Sequence, residues 1–148
     1  RLMMKKRFFL GLLILVFSLT GCGSQTKMQD GFYSAEMSDY SFGWKEYVCI
    51  MVKNDKIVYA EFNAKDPSGY VKAWDNSYMQ NMASVTGTYP NEYTRYYTAE
   101  LLEKQSSSGV DALTGASTSG NHFKLLTAAV IEQAVKGNAD TVIVESEN

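Results

Sequence analysis

The chain contains few of the residues that form cross-links or metal centres. Its 148 residues include two cysteines, two prolines and a single histidine, His122. The cysteines are not spaced as Cys-x-x-Cys, and one histidine cannot supply a His-Glu-x-x-His motif. These are the usual sequence patterns of structural zinc sites and of zinc proteases. We therefore expect no metal centre.

Basic residues are also scarce once the N-terminus is set aside. The formal net charge of the full chain is −2. Without the four basic residues among the first 21, ten basic residues face sixteen acidic ones, so the net charge becomes 10 − 16 = −6. An acidic domain repels phosphate backbones. Nucleic acid is therefore not an expected partner.

The chain lacks an apolar run long enough to cross a membrane. Residues 5–7 are basic, and a mostly apolar run follows over residues 8–19. That run is shorter than the roughly 20 residues that span a bilayer. A basic head before a short apolar run is typical of a secretory signal peptide. We expect translation to start at Met3 or Met4.

The signal ends in Leu19-Thr20-Gly21-Cys22, which resembles a bacterial lipobox. The resemblance implies cleavage before Cys22 and diacylation of its thiol; the alternative is an ordinary signal peptide with a chance cysteine. Two acyl chains give stable membrane anchoring. We therefore divide the chain into a signal peptide (residues 1–21), a polar tether (22–29) and one domain (30–148), anchored on the extracellular face of the cell membrane.

Lipidation of Cys22 would leave Cys49 as the remaining cysteine, which excludes an internal disulfide. Cys49 lies in an apolar run, so we expect it to be a buried small hydrophobe.

Alternating and β-rich segments predict a small sheet. Residues 30–37 form a first strand and residues 141–145 a closing strand. Residues 46–52 and 56–62 flank Asn54-Asp55, which predicts an antiparallel hairpin. One arm would bury Val48, Ile50 and Val52. Two alternatives remain for the other arm, either Ile57 with Tyr59 or Val58 with Ala60 and Phe62.

Helical periodicity appears in three places. Residues 75–82 predict a short helix, and a second helix begins at Pro90 and ends before residues 105–109. The strongest helix prediction covers residues 120–136, with Lys136-Gly137 as its stop. The apolar face of the helix that begins at Pro90 would carry Tyr93, Tyr97 and Leu101. That of the helix over residues 120–136 would carry Phe123, Leu126, Val130 and Ala134. Together the elements predict an α+β fold, a small antiparallel sheet packed against helices.

Residues 110–119 place small residues and hydroxyls directly before the strongest helix. A phosphate on Ser117 would then lie at a helix N-terminus, where free N–H groups and the macrodipole favour an anion. Gly115 and Ala116 leave room for a ligand near the backbone, and Thr118 or Ser119 would cap the helix. The alternative is that this cluster is an ordinary cap and turn.

This segment resembles the flavin-attachment motif of FMN-binding domains, in which an Asp, two spacer residues, Ser or Thr, Gly and Ala precede an acceptor hydroxyl. On that pattern Ser117 is the acceptor, although the usual acceptor is Thr. The resemblance implies FMN attached covalently by a phosphoester to Ser117. The other motif positions, as cofactor-binding residues, are Asp111, Thr114, Gly115, Ala116 and Thr118. Asp111 would hydrogen-bond the loop or help the attaching enzyme to bind metal.

Further blocks resemble the same family. Residues 30–33, 43–47, 53–57, 75–82, 101–105 and 123–125 occur in the order seen in FMN-binding lipoproteins of Gram-positive bacteria. This resemblance covers nearly the whole mature chain. It implies an electron carrier for extracellular electron transfer, flavinylated by a flavin transferase that uses FAD and reduced by a membrane quinol oxidoreductase. We therefore expect a carrier and not a substrate-transforming enzyme.

A second interpretation is a non-redox lipoprotein whose cleaved signal peptide acts as a pheromone-like peptide, since residues 15–21 resemble the apolar tail of such peptides.

Several other side chains have two interpretations each. Trp44 and Trp74 could stack on a flavin ring or belong to the core, and Met79 and Met82 could line a pocket or fill gaps. His122 could contact the phosphate or be exposed. Lys45 could pair with the phosphate or be an ordinary surface charge.

Overall fold

The computed structural model describes residues 27–146. The predicted signal peptide, Cys22 and most of the tether lie outside the described residues. Within residues 27–146, no helix is both long and apolar enough to cross a membrane.

Four strands form one sheet in the order β3-β2-β1-β4. They are β1 (Gly31–Met37), β2 (Lys45–Lys53), β3 (Lys56–Lys65) and β4 (Val142–Val144). The three helices are α1 (Asn76–Thr86), α2 (Pro90–Lys104) and α3 (Ser117–Lys136), and a single 3-10 turn (Lys72–Trp74) precedes α1. The helices α2 and α3 pack on one face of the sheet. The predicted α+β fold is confirmed.

The predicted hairpin is present, and its turn has the backbone that its sequence favours. Asn54 and Asp55 both have positive φ, 52° and 61°, as a two-residue type I′ turn requires. The carboxylate of Asp30 accepts a hydrogen bond from the backbone N–H of Asn54 (2.8 Å).

The buried face of β3 follows neither of the two predicted alternations of inward-facing residues. Val52 pairs with Ile57 but Met51 pairs with Tyr59, so Val58 is an extra residue in the strand. This irregularity shifts the alternation by one position. Both Ile57, which precedes Val58, and Phe62, which follows it, therefore face the core.

The last strand makes the sheet mixed and not wholly antiparallel. β1 pairs with β2, and β2 with β3, in antiparallel register, but β4 pairs with β1 in parallel, with Ala35 opposite Val142. A parallel pair needs a long crossover between its strands. Here α3 is the last part of that crossover and returns the chain to the free edge of β1.

The predicted helix faces form the core. Phe62 packs against Phe123 with ring centroids 4.9 Å apart, and Tyr97 stacks on Phe123 at 5.5 Å. Full burial of such a side chain contributes about 1.5–3 kcal/mol, so these rings stabilise the packing of both helices on the sheet. The predicted face residues are all buried, namely Tyr93, Tyr97, Leu101, Phe123, Leu126, Val130 and Ala134.

Cys49 is not part of this core, which corrects the expectation that it is buried. It alternates with Val48 and Ile50, so it lies on the opposite face of β2, where it is only partly exposed. Partial burial there, together with the nearby charge of Glu61, raises the pKa of its thiol.

Gly115 should be more sensitive to substitution than a glycine with the same backbone in open space. Gly115 and Gly43 have φ values of 88° and 84°, but a Cβ on Gly115 would collide with the backbone carbonyl of Thr86 while one on Gly43 would meet nothing. Both alanine variants bear the strain of a left-handed backbone. Gly115→Ala should lose at least about 1 kcal/mol more stability than Gly43→Ala, because it also overpacks its surroundings. Urea unfolding measures both; equal losses would contradict the collision.

Candidate functional site

The hydroxyl of Tyr97 fixes the loop that leads into α3. This buried hydroxyl accepts a hydrogen bond from the backbone N–H of Leu113 (3.0 Å) and donates one to the carbonyl of Ala116 (2.9 Å). It also lies against Gly120, where a Cβ would collide with it. Tyr97 is thus held between the loop and the first turn of α3, and it sets the position of Ser117.

The helix begins three residues earlier than predicted. Ser117 is its first residue and Ala116 occupies the N-cap position with no side-chain cap. The expectation that Thr118 or Ser119 caps the helix is therefore wrong, since both lie inside its first turn. Helix geometry leaves the first N–H groups without intrahelical acceptors. The backbone N–H of Gly120 bonds back to Ala116 (2.9 Å).

A cleft of about 370 Å³ opens beside this helix start. Its volume lies within the range of small-molecule sites. One side is aromatic, because Trp44 and Tyr78 meet edge to face with centroids 6.0 Å apart. The lining residues are Ser41, Phe42, Trp44, Glu46, Lys72, Tyr78, Met82, Gly115, Ala116, Ser117, Thr118, Ser119 and His122.

A buried carboxylate joins β2 to α3 in this cleft. Glu46 accepts a hydrogen bond from the hydroxyl of Ser119 on one oxygen (2.7 Å), and its other oxygen lies 2.7 Å from Nδ1 of His122. The bond to Glu46 raises the pKa of His122 above its ordinary value, although partial burial opposes the increase. His122 is therefore held with Nδ1 toward the protein.

Lys72 brings a second buried charge to the same cleft. Its side chain is buried, and its ammonium lies 4.5 Å from the ring centroid of Tyr78. Burial by itself lowers the pKa of Lys72, but Tyr93, Tyr78 and Glu46 outweigh burial and raise it. Lys72 therefore stays charged and can attract an anionic ligand.

Four of the predicted motif residues line the cleft. They are Gly115, Ala116, Ser117 and Thr118, and both Ser117 and Thr118 are exposed. Thr114 and Asp111 are not among the lining residues. Asp111 is exposed and its carboxylate lies 3.4 Å from the ammonium of Lys104.

The other candidate side chains divide in the same way. Trp44, Met82 and His122 line the cleft. Trp74 is exposed and packs against Tyr70, and Met79 lines a separate depression beside Tyr89. Lys45 lies over the ring of Tyr40 at 4.7 Å.

Sequence reasoning did not identify Glu46, Lys72 or Tyr78 as site residues. A signal existed for Glu46, because it shares the inward alternation of Val48 and Ile50 on β2. A carboxylate at an inward position of a strand indicates a buried polar contact. Lys72 and Tyr78 carry no comparable signal.

No group of three or more His, Cys, Asp and Glu side chains suited to a metal ion occurs among residues 27–146.

Comparison with known proteins identifies relatives over most of the chain. The crystal structure of the CPE2226 protein from Clostridium perfringens is similar, with a TM-score of 0.78 and 34% identity over 81% of this chain and 99% of that one. The chain belongs to the CPE2226 family. The 15 kDa lipoprotein of Treponema pallidum (strain Nichols) is 29% identical over 138 residues, which are 93% of this chain and 95% of that protein. No protein-family model matches the chain.

In this member of the CPE2226 family, His122 should contribute stability that depends on pH. Its pKa is raised above the ordinary 6.5 in the folded state, so the contribution is complete below that value and is lost as the pH rises through the folded-state pKa. His122→Gln should therefore cost more stability at about pH 5.5 than at about pH 9, by urea unfolding. Glu103→Gln, at an exposed position of α2, should leave this pH dependence unchanged. A pH profile of His122→Gln that parallels the wild type would contradict the assignment.

Proposed function

We propose that the chain is a membrane-anchored lipoprotein whose domain carries FMN on Ser117 and relays electrons outside the cytoplasm. The observation that carries the proposal is the position of Ser117. Its exposed hydroxyl lies on the first turn of α3, at the edge of a cleft of about 370 Å³ with an aromatic side. That arrangement offers one atom for covalent attachment and an adjoining space for a flat ring.

The lipid anchor is supported by the lipobox-like sequence and by a relative. A contiguous match of 138 residues in a chain of 148 begins no later than residue 11, so it includes Cys22. The protein on the other side of that match is named a lipoprotein. Lipidation of Cys22 follows as the simplest account of both observations.

The residues at the helix start fit a phosphate. Ser117 supplies the oxygen for a phosphoester, and the first turn of α3 has N–H groups that lack intrahelical acceptors. The positive end of a helix macrodipole stabilises a negative charge by about 0.3–1 kcal/mol at an exposed site. Lys72 lines the same cleft and adds a full positive charge.

The aromatic side of the cleft fits a flat ring system. Trp44 and Tyr78 provide ring surfaces, and Met82 provides a polarisable thioether that tolerates irregular contacts. Phe42 lies at the rim and is 94% exposed. Burial of such a rim side chain against a bound ring would remove apolar surface from water, which favours binding.

Flavin supplies reversible electron chemistry when it is bound, while a protein supplies position and electrostatics. In this chain Ser117 would hold the phosphate, and Lys72 and His122 would place positive charge in the cleft. Attachment by a flavin transferase forms a bond from the Ser117 oxygen to the FMN phosphorus, breaks the phosphoanhydride of FAD and releases AMP and a proton. A membrane quinol oxidoreductase is the proposed electron donor.

The hydrogen bonding of the cleft favours a carrier over a hydrolase. A serine nucleophile needs a base that accepts its proton. The Ser119 hydroxyl and His122 Nδ1 both meet Glu46 instead of each other. Glu46 thus holds Ser119 and His122 in place, while the exposed hydroxyl of Ser117 has no hydrogen bond to a base among the described residues.

Ser117 should gain the mass of FMN less water when the domain is co-expressed with a flavin transferase. Ser117→Ala should abolish the gain, because the acceptor oxygen is lost, and Ser117→Thr should preserve it. Thr118→Ala and Ser119→Ala are matched controls on the same helical turn and should retain the label. Intact-mass spectrometry and in-gel flavin fluorescence provide the measurements.

A label that survives Ser117→Ala and disappears in Thr118→Ala or Ser119→Ala would show that the acceptor is misassigned. Absence of flavin from every variant, with an active transferase present, would favour the non-redox lipoprotein.

The flavinylated domain should exchange electrons with small ferric chelates. Because Ser117 is exposed and the cleft is open, the reduced domain should reoxidise faster with a ferric chelate than without it in anaerobic stopped-flow spectroscopy. Flavinylated Cys49→Ala is a control on the opposite face of the sheet and should behave as the wild type. Reoxidation at the same rate with and without the chelate would contradict the carrier function, but it would not bear on the attachment of FMN to Ser117.

A further inference from the structure

The chain enters the domain at the end opposite the cleft. The backbone N–H of Met28 donates to the carboxylate of Asp55 (2.8 Å), and that of Gln29 donates to the carbonyl of Ala134 near the end of α3 (2.9 Å). Gly137 lies against the side chain of Gln29. We name this end the entry pole; it consists of residues 27–29, the β2–β3 turn and the last turn of α3.

The helix α3 separates the entry pole from the cleft. It is continuous from Ser117 to Lys136, and Ser117 lies 17 residues before Ala134. At 1.5 Å per residue these two positions are about 26 Å apart along the helix axis. Ser117 is on the cleft and Ala134 is on the entry pole, so the two ends lie at different heights above the lipid surface whenever α3 stands along the membrane normal.

The chain between the anchor and the entry pole is short. Six residue steps separate Cys22 from Met28. A polypeptide advances at most about 3.6 Å per residue, so this stretch reaches about 22 Å at most, whatever its conformation. That reach is less than the separation of the cleft from the entry pole. An inverted domain would hold Met28 about 26 Å from the membrane surface. A chain anchored there through Cys22 cannot reach that far.

Charge at the entry pole favours the same orientation. Lys27, Lys53, Lys56 and Lys136 are all exposed there. Asp30, Asp55 and Glu132 lie among them, and Glu132 pairs with Lys136, so the formal charge of these residues is 4 − 3 = +1. A weakly positive pole is repelled less by an anionic lipid surface than the mature chain as a whole, whose net charge is −6.

We propose that the entry pole faces the lipid surface and that the cleft points away from it, beyond the reach of groups in the bilayer. The inference rests on the lipid anchor of the proposed function. It restricts the partner at the cleft to a soluble molecule or to a protein domain that projects well out of the membrane. A quinol inside the bilayer does not qualify, so a membrane donor must carry its electrons outward before it meets the cleft.

The test uses the full lipidated protein in vesicles that contain phosphatidylglycerol and lipids with nitroxide-labelled headgroups. A fluorophore is placed on Lys53→Cys, at the entry pole, or on Phe42→Cys, at the cleft rim, each in a Cys49→Ala background. The loss of emission should be several times larger for the Lys53→Cys probe. Equal losses, or a larger loss at Phe42→Cys, would overturn the orientation.

Two further arms test the tether itself. An insertion of about twelve Gly and Ser residues after Ser24 adds up to about 40 Å of reach and should reduce the difference between the probes. A difference that does not shrink would overturn the tether as its cause. Cys22→Ser should remove quenching from both probes, and persistence of the pattern would also count against the inference. The protein is produced without a flavin transferase, so the result does not depend on FMN at Ser117, and vesicle co-sedimentation reports the anchor separately.

Discussion

The site depends on the two hydrogen bonds that the hydroxyl of Tyr97 makes. The hydroxyl donates one hydrogen bond and accepts another, and both partners belong to the loop before α3. The ring of the same residue stacks on Phe123 in the core. A buried hydroxyl that lost these partners would cost about 1–3 kcal/mol. The loop is therefore coupled to the core through one side chain, and the position of Ser117 is as rigid as the helix packing.

Glu46 is the second constraint, and it acts between layers. A buried carboxylate is costly unless it is hydrogen-bonded and paired. Here both oxygens are engaged by α3, through Ser119 and His122, while Lys72 adds a nearby positive charge. The pairing specifies how the helix start lies on the sheet, since a helix rotated about its axis would leave the carboxylate without partners. The polar wall of the cleft thus also sets the register of α3 on β2.

Local signals predicted most of the fold. The Asn54-Asp55 turn needs only its own residues, and the faces of α2 and α3 follow from a 3.6-residue period. The parallel direction of β4 was not predictable, because it depends on where a helix of 20 residues delivers the chain. The extra residue at Val58 likewise follows from pairing with β2, which no property of β3 alone reveals.

The same distinction explains the site. Ser117, Gly115 and Ala116 are contiguous, so one motif predicts their proximity to each other. Asp111 belongs to that motif in sequence but lies beside Lys104, because the loop follows the contacts made by Tyr97. Lys72 reaches the cleft from a 3-10 turn that is distant from the motif in sequence. No local pattern predicts that Lys72 lies there.

The parallel pairing of β4 with β1 has a consequence for how the domain acquires its structure. The hydroxyls of Ser34 and Thr141 meet at 2.7 Å although 107 positions separate them. Contacts of such high sequence separation form late, because loop closure precedes any gain from pairing. The edge of β1 therefore stays unpaired until nearly the whole chain is available.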